Sequence, residues 1–187
     1  MAKEPAYSNI HQDLIDRCRK GDREAQFSIY GLYYKAMFNT CLRIVKDPGE
    51  AEDIMQESFL SAFEKIGTYS GTVSFGAWLR KIVINRSLDS IKKQKLSFDT
   101  LDERAAGNIS IDETQEDFTR DIRMIREAIL KLPDGFRIVL TLYLLEGYDH
   151  EEIGQILNIS SSTSRSQYTR ARQKLIEILK SNRDEQT

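Results

Sequence analysis

The sequence has few of the residues that build disulfide frameworks or metal centres. Of its 187 residues, two are cysteines and two are histidines. Cys18 and Cys41 lack the close spacing of a disulfide framework or a zinc site, and His11 and His150 form no HExxH-type pattern. No glycine-rich phosphate loop occurs either. We therefore expect a protein that needs no cofactor and no metal, has no catalytic residues and is not an enzyme.

Long apolar runs are also missing. No stretch approaches the roughly 18 apolar residues that indicate a membrane span. The first residues, MAKEPAYSNIHQ, do not show the basic-then-apolar order of a signal peptide. These absences predict a cytoplasmic protein with no membrane insertion.

Prolines and glycines are scarce, with three and ten copies, and most apolar residues recur at helical spacing. Residues 1–95 contain four helical segments able to share one core. Residues 96–121 hold eight acidic and two basic residues, so the flanking segments together are basic although the whole chain carries −2. A helical stripe restarts in 122–187 with Ile122, Ile125, Ile129 and Leu132. The sequence thus predicts an all-α fold: two small helical domains joined by a flexible acidic linker.

The segment HEEIGQILNISSSTSRSQYTRARQKL has the pattern of a helix-turn-helix. A two-turn helix is followed by a tight turn, and Ser160 or Ser161 is placed to cap the next helix. The outer side of that next helix is polar and basic, so it is suited to the major groove, where Arg and Gln read base edges. The alternative is a plain surface helix whose arginines are solvated.

Three segments together resemble bacterial RNA polymerase sigma factors of the extracytoplasmic-function (ECF) class. EAEDIMQESFLSAFEKI is similar to their region 2.2, and FGAWLRKIVINRSLDSIKK to regions 2.3 and 2.4. The sequence from Leu132 to Leu175 is similar to region 4. The resemblance implies a factor that binds core RNA polymerase, directs it to specific promoters and promotes DNA melting for transcription initiation.

The resemblance also assigns roles in the first domain. Asp53, Gln56 and Glu57 match positions that grip the clamp of the polymerase β′ subunit. Asn85 matches an asparagine that holds a flipped base of the non-template strand in the −10 element. The full set expected at the −10 DNA is Trp78, Arg80, Lys81, Asn85 and Arg86. For Trp78, base stacking and core packing are both open.

In the second domain, the set expected at the −35 element is Ser162, Arg165, Ser166, Gln167, Thr169 and Arg170. Three positions depart from the family pattern. Ser162 replaces a usual glycine, Ser164 a usual valine and Gln167 a frequent arginine. Ser164 is expected near the core side of the helix, and Gln167 is suited to reading adenine.

The implied partners are core polymerase, through its β′ clamp and β flap, and promoter DNA, both duplex and melted single strand. The resemblance further implies control by a separate anti-sigma factor. The acidic linker is interpreted either as an anionic occupant of the polymerase's nucleic-acid channels or as a solvated tether. Two rival functions stay open: a stand-alone helix-turn-helix regulator, and a protein-interaction module whose basic helix binds an acidic partner.

Overall fold

The computed structural model describes residues 10–97 and 116–184. Every regular element in these two ranges is helical. The chain divides into two compact units, Met1–Asp102 (unit 1) and Glu103–Thr187 (unit 2). The predicted all-α fold with two small helical domains is confirmed. Residues 98–115, most of the predicted acidic linker, lie outside the described residues, and the domain limits at 95 and 122 stay predictions.

Between residues 10 and 97, unit 1 has four α-helices and one short 3₁₀ turn. In chain order these are α1 (Gln12–Arg19), α2 (Arg23–Val45), α3 (Pro48–Glu64), the 3₁₀ turn (Ile66–Thr68) and α4 (Phe75–Ser97). Helices α2, α3 and α4 pack against one another, and α1 packs against α2. Their shared core includes Ile29, Met37, Ile44, Phe59, Leu79 and Val83, all at most 2% exposed.

Local capping signals set where two of these helices begin. The Asp22 carboxylate accepts hydrogen bonds from the backbone N–H groups of Glu24 (2.9 Å) and Ala25 (3.2 Å) at the start of α2. Asp47 accepts one from the N–H of Glu50 (2.8 Å) at the start of α3, where Pro48 occupies the first helical position. Both arrangements satisfy amides that the helix leaves free.

Unit 2 contains the predicted helix-turn-helix. Its elements are α5 (Glu116–Leu130), α6 (Asp134–Leu140), a π-helical turn (Thr141–Leu145), α7 (His150–Leu157) and α8 (Ser161–Asp184). Ile129, Leu132, Leu140 and Ala171 form a buried cluster, and Phe136, Leu175 and Ile178 pack against it. This core joins α5, α6 and α8.

Helix α5 differs from the sequence expectation in two respects. It begins at Glu116, before the predicted start at Ile122. The intervening residues contain a single hydrophobe, so no apolar stripe indicated a helix there. Ile122 and Ile125, predicted to face inward, are 36% and 44% exposed. Among residues 120–130 of α5, Ala128 and Ile129 near its end are the buried ones.

Candidate polymerase and nucleic-acid interfaces

Helix α3 separates an apolar side from an exposed polar side. Its inward side buries Ile54, Met55, Ser58, Phe59 and Ala62. The predicted polymerase contacts Asp53, Gln56 and Glu57 are all exposed. Leu60 is 64% exposed and follows them at helical spacing. The outer face of α3 therefore combines carboxylates, including those of Glu52, Asp53 and Glu57, with an amide and one accessible apolar side chain.

An ion pair links this face to α4. The Arg86 guanidinium donates to the Glu57 carboxylate over 2.8 Å, and the two side chains are 38% and 65% exposed. Exposed pairs of this kind stabilise a fold by only about 0–1 kcal/mol. The pair joins a predicted polymerase contact to a predicted DNA contact.

The predicted −10 residues follow the outer side of α4. Lys81 and Asn85 are exposed, one helical turn apart. Arg80 and Arg86 are half-buried at the edges of this strip, and Val83 and Ile84 between them are buried. An exposed amide on α4 thus stands beside cationic side chains.

Trp78 lies half-buried at the start of α4. Its ring packs against the rings of Tyr69 and Phe75, with centroid separations of 5.3 and 5.5 Å. Tyr69 and Phe75 belong to the core, and the Tyr69 hydroxyl donates to the carbonyl of Val73 over 2.6 Å. Trp78 therefore packs against core residues without being fully buried itself.

In unit 2, the turn between α7 and α8 is tightly packed. A capping box between Asp149 and Glu152 starts α7, and Asn158 ends it in the left-handed region with φ of 56°. The N–H of Ile159 then donates to the carbonyl of Gly154 over 3.0 Å. A β-carbon at Gly154 would lie 2.8 Å from the carbonyl oxygen of Ile159, so only glycine fits this approach without displacement.

Ser160 is the residue that caps α8. Its Oγ accepts from the N–H of Thr163 over 3.0 Å. The same oxygen exchanges hydrogen bonds with the hydroxyls of Ser162 (2.9 Å) and Thr163 (2.8 Å). Of the two serines predicted as candidates, Ser160 therefore has the capping role.

The predicted −35 residues share one face of α8, with one exception. Five of them are exposed: Ser162, Arg165, Ser166, Thr169 and Arg170. Gln167 is half-buried, and its amide oxygen lies 3.9 Å from where a β-carbon on Gly135 of α6 would stand. On the opposite side, Ser164 and Ala171 are fully buried.

Two hydroxyls on the exposed face bond back to their own helix. The Ser166 hydroxyl donates to the carbonyl of Ser162, and the Thr169 hydroxyl to that of Arg165, each over 3.0 Å. Such bonds leave oxygen lone pairs outward and occupy the hydroxyl protons. Arg165 and Arg170 therefore supply the main hydrogen-bond donors of this face.

Behind α8 lies a group of side chains that we name the His150 cluster: Tyr143, His150, Ser164 and Tyr168. The His150 Nδ1 and the Ser164 Oγ are 2.9 Å apart and hydrogen-bonded. The His150 ring stacks on Tyr143 with centroids 4.4 Å apart. Tyr168 contacts both rings, at 4.5 Å from Tyr143 and 5.7 Å from His150. Ser164, the replacement for the usual valine, thus lies on the core side as expected.

Comparison with known proteins identifies the family. Residues 29–96 match the model of sigma-70 region 2, and residues 122–175 match that of sigma-70, region 4. The ECF RNA polymerase sigma factor SigW of Bacillus subtilis is 32% identical over 173 residues, covering 86% of this chain and 92% of that protein. The chain belongs to the ECF RNA polymerase sigma factors.

Other relatives agree with this assignment. SigM of Bacillus subtilis, also an ECF sigma factor, is 30% identical over 149 residues, covering 79% of this sigma factor and 90% of SigM. The sigma factor RpoE of Bartonella quintana, solved with the anti-sigma factor NepR, has a TM-score of 0.59 at 21% identity. That likeness covers 82% of this chain and 95% of RpoE, and at such identity it shows the shared fold.

As a sigma factor, the protein is a transcription initiation factor that directs RNA polymerase to promoters. Helix α3 and all but the last residue of α4 lie inside the region 2 match, and α6, α7 and most of α8 inside the region 4 match. Among the helices that the structure describes, none is long and apolar enough to cross a membrane. No cluster of His, Cys, Asp and Glu suited to a metal occurs in the described parts of the chain.

Sequence reasoning missed three contacts of the sigma factor. It did not pair Glu57 with Arg86, or His150 with Ser164. It also missed Arg137 in α6, which is 1% exposed and bound to Asp134. The inward position of Ser164 and the three-residue spacing of Asp134 and Arg137 were the available signals. Neither signal reveals burial by itself.

Proposed function

We propose that the exposed faces of α3, α4 and α8 have separate roles in promoter recognition. The outer face of α3 binds core polymerase, α4 captures the melted −10 strand, and α8 reads the −35 element in the major groove. The observation that carries the proposal is that α8 has an exposed cationic side and a buried side. Directly after a tight helix-turn-helix turn, this helix exposes Arg165 and Arg170 and buries Ser164 and Ala171 on its other side.

The polymerase contact is supported by the chemistry of α3. Asp53 and Glu57 present carboxylates to solvent, which suits a basic surface on the β′ clamp and fixes the orientation of docking. The exposed Leu60 adds an apolar group that becomes covered on binding. Glu57 binds Arg86 on another helix, whereas the Gln56 amide donates to Glu52 within α3 over 3.2 Å, so Asp53 and Gln56 are the cleaner positions for testing this contact.

The −10 contact is supported by the arrangement on α4. Taking a base out of the stack costs a few kcal/mol, which an amide and nearby cations help to offset. Asn85 offers the amide, while Lys81 and Arg86 attract the phosphate backbone. The accessible part of Trp78 supplies an apolar edge at the start of the same helix.

The −35 contact is supported by the two arginines of α8. A bidentate guanidinium–guanine contact contributes roughly 1–3 kcal/mol of discrimination against the wrong base. Ser162, Ser166 and Thr169 keep the rest of the face slim and polar. Because Gln167 is half-buried beside α6, we assign it a lesser part in base reading than the arginines.

Further partners follow from the same proposal. The exposed Ile122 and Ile125 of α5, together with Leu144 and Leu145 of the π-helical turn, offer unit 2 apolar side chains for the β flap. An anti-sigma factor is the proposed regulator, as RpoE of Bartonella quintana was solved with one. The protein makes and breaks no bond itself, and it acts in the cytoplasm, where core polymerase works.

The proposal is tested by transcription in vitro with purified core polymerase and two promoters, one intact and one with a scrambled −35 element. The unmodified protein should direct initiation at the intact promoter. Arg170→Ala should reduce that signal by about tenfold or more, the equivalent of roughly 1.4 kcal/mol. At the scrambled promoter the same substitution should have little effect, because the base contact is already lost.

Lys180→Ala is the matched control, since Lys180 is exposed on the same helix beyond the predicted DNA face. If Lys180→Ala and Arg170→Ala reduce initiation equally, bulk charge rather than base reading is responsible, and the groove model fails. Promoter binding without any polymerase-dependent initiation would favour the stand-alone regulator. Binding of core polymerase should weaken in Asp53→Ala/Gln56→Ala and stay intact in Arg170→Ala.

A further inference from the structure

The His150 cluster packs at the inward side of α8, the helix proposed to read the −35 element. Ser164 and Tyr168 are one helical turn apart on its inward side, and each directly precedes a predicted DNA contact, Arg165 or Thr169. His150 belongs to the first turn of α7 and Tyr143 to the π-helical turn. The cluster therefore ties α8 to the two elements that support it.

The hydrogen bond within the cluster is directional. The Ser164 side chain is 0% exposed, so its hydroxyl needs a partner inside the protein, and the His150 Nδ1 lies 2.9 Å away. Either tautomer of the imidazole satisfies the pair, because a hydroxyl both donates and accepts. An apolar contact, such as the family's usual valine would make, tolerates sliding and rotation that this hydrogen bond does not.

A small rotation of α8 about its own axis displaces the side chains of its outer face. Side chains reach about 5–6 Å from a helix axis, so a rotation of roughly 15° moves their tips by about 1.5 Å. Binding groups need to be held within about 0.5 Å and 10–20° of the productive geometry. A contact that fixes the rotation of α8 therefore governs how well Arg165 and Arg170 meet base edges.

We propose that His150 is a positioning residue for −35 recognition, acting through Ser164 to fix the rotation of α8. His150 itself need not touch DNA. The inference rests on the proposed function of α8 as the helix that reads the −35 element.

The test uses the full chain assembled with core polymerase and compares initiation at an intact and a scrambled −35 promoter. The ratio of the two signals measures base reading. Ser164→Ala removes the hydroxyl, and His150→Phe removes the imidazole nitrogens while keeping a ring against Tyr143. Each should lower the ratio by about threefold to tenfold. The double variant should be no worse than either single one, since both act through one contact.

A conservative replacement separates positioning from general support of the fold. In His150→Asn, the side-chain amide can occupy the place of Nδ1 and bond to Ser164, although the ring is lost. It should keep the ratio within about twofold of the unmodified protein while lowering the melting temperature. A merely structural role would instead make His150→Asn, which loses the stacking, at least as harmful as His150→Phe, which keeps it.

Three outcomes would overturn the inference. The first is that Ser164→Ala and His150→Phe leave the ratio unchanged while Arg170→Ala lowers it. The second is that the effects of the two single variants add in the double variant. The third is that His150→Phe weakens binding to both promoters equally and reduces the salt slope by about one, which indicates a direct phosphate contact. If Arg170→Ala also leaves the ratio unchanged, the proposed function of α8 is what fails.

Discussion

Replacing Arg137 by alanine is expected to unfold unit 2 while leaving unit 1 intact. Arg137 lies in α6 and is 1% exposed. Its Nη1 donates to the Asp134 carboxylate over 2.7 Å and to the Leu132 carbonyl over 3.2 Å. Burial lowers the pKa of the Arg137 guanidinium from its ordinary value, while the hydrogen bond and the charge of Asp134 oppose that change. The ordinary pKa of arginine is so high that the group remains charged at neutral pH.

The expected magnitude follows from this burial. Arg137→Ala leaves a cavity in place of a large buried side chain and removes the donor to the Leu132 carbonyl, which together cost about 3–5 kcal/mol. A folded unit of this size is stable by only roughly 3–10 kcal/mol in total. Arg137→Ala should therefore remove most of the stability of unit 2. Arg137→Met should stay within about 2 kcal/mol of the unmodified protein, because it refills the space and the half-exposed Asp134 is solvated without its partner.

The chain offers a probe that separates its two units. Trp78, the single tryptophan, lies in unit 1 against Tyr69 and Phe75. Urea unfolding followed by tryptophan fluorescence therefore reports unit 1, whereas far-UV circular dichroism reports the helices of both units. In Arg137→Ala the fluorescence transition should be unchanged, and the dichroism should show helix loss at little or no urea.

Two results would refute this reasoning. A change below about 1 kcal/mol for Arg137→Ala would mean that the guanidinium is not held as a buried, paired charge. An equal displacement of the Trp78 transition would mean that the two units do not unfold separately. The Arg137→Met variant is the control, since it differs in charge and hydrogen bonding but fills a similar volume.

Two further predictions concern other positions. Gly154→Ala should lower the stability of unit 2 by about 1–2 kcal/mol. The clash with the Ile159 carbonyl outweighs the helix preference of alanine over glycine, which is at most about 1 kcal/mol. A higher melting temperature by circular dichroism would contradict this. The pKa of Asp22 is lowered by the hydrogen bond from Arg17 and by the N–H of Ala25, so its charge stabilises unit 1 above about pH 4 and that contribution is lost on acidification. Asp22→Asn keeps the helix cap and should flatten the acid side of the stability curve followed by Trp78 fluorescence, and an unaltered curve would rule out this role for the charge.

The local sequence was enough to predict the class of fold and the main elements. Helical spacing indicated an all-α chain, and the short turn before Ser160 indicated the helix-turn-helix. These signals are local, because periodicity and capping depend on residues within a few positions of one another. The exposure of Asp53 and Arg170 was predictable for the same reason, since one side of an amphipathic helix faces solvent. Their roles at polymerase and DNA remain predictions.

Other features depend on tertiary packing. The partner of Glu57 is Arg86, and the partner of Ser164 is His150, in each case on another helix. No local pattern specifies which of several acids or hydroxyls an arginine or histidine will meet. The half-burial of Gln167 likewise results from its position beside α6.

The burial of Arg137 is the clearest case of a feature that depends on tertiary packing. In the sequence, Arg137 is a cation three residues after an aspartate, and nothing in that spacing indicates burial. In the folded unit it is 1% exposed, and the helix that carries it packs against α8. The sequence alone determined most of the helices and which side of most of them is apolar, with α5 as the exception. Only the tertiary structure decided which polar groups are removed from water, since burial depends on the neighbouring helices that cover them.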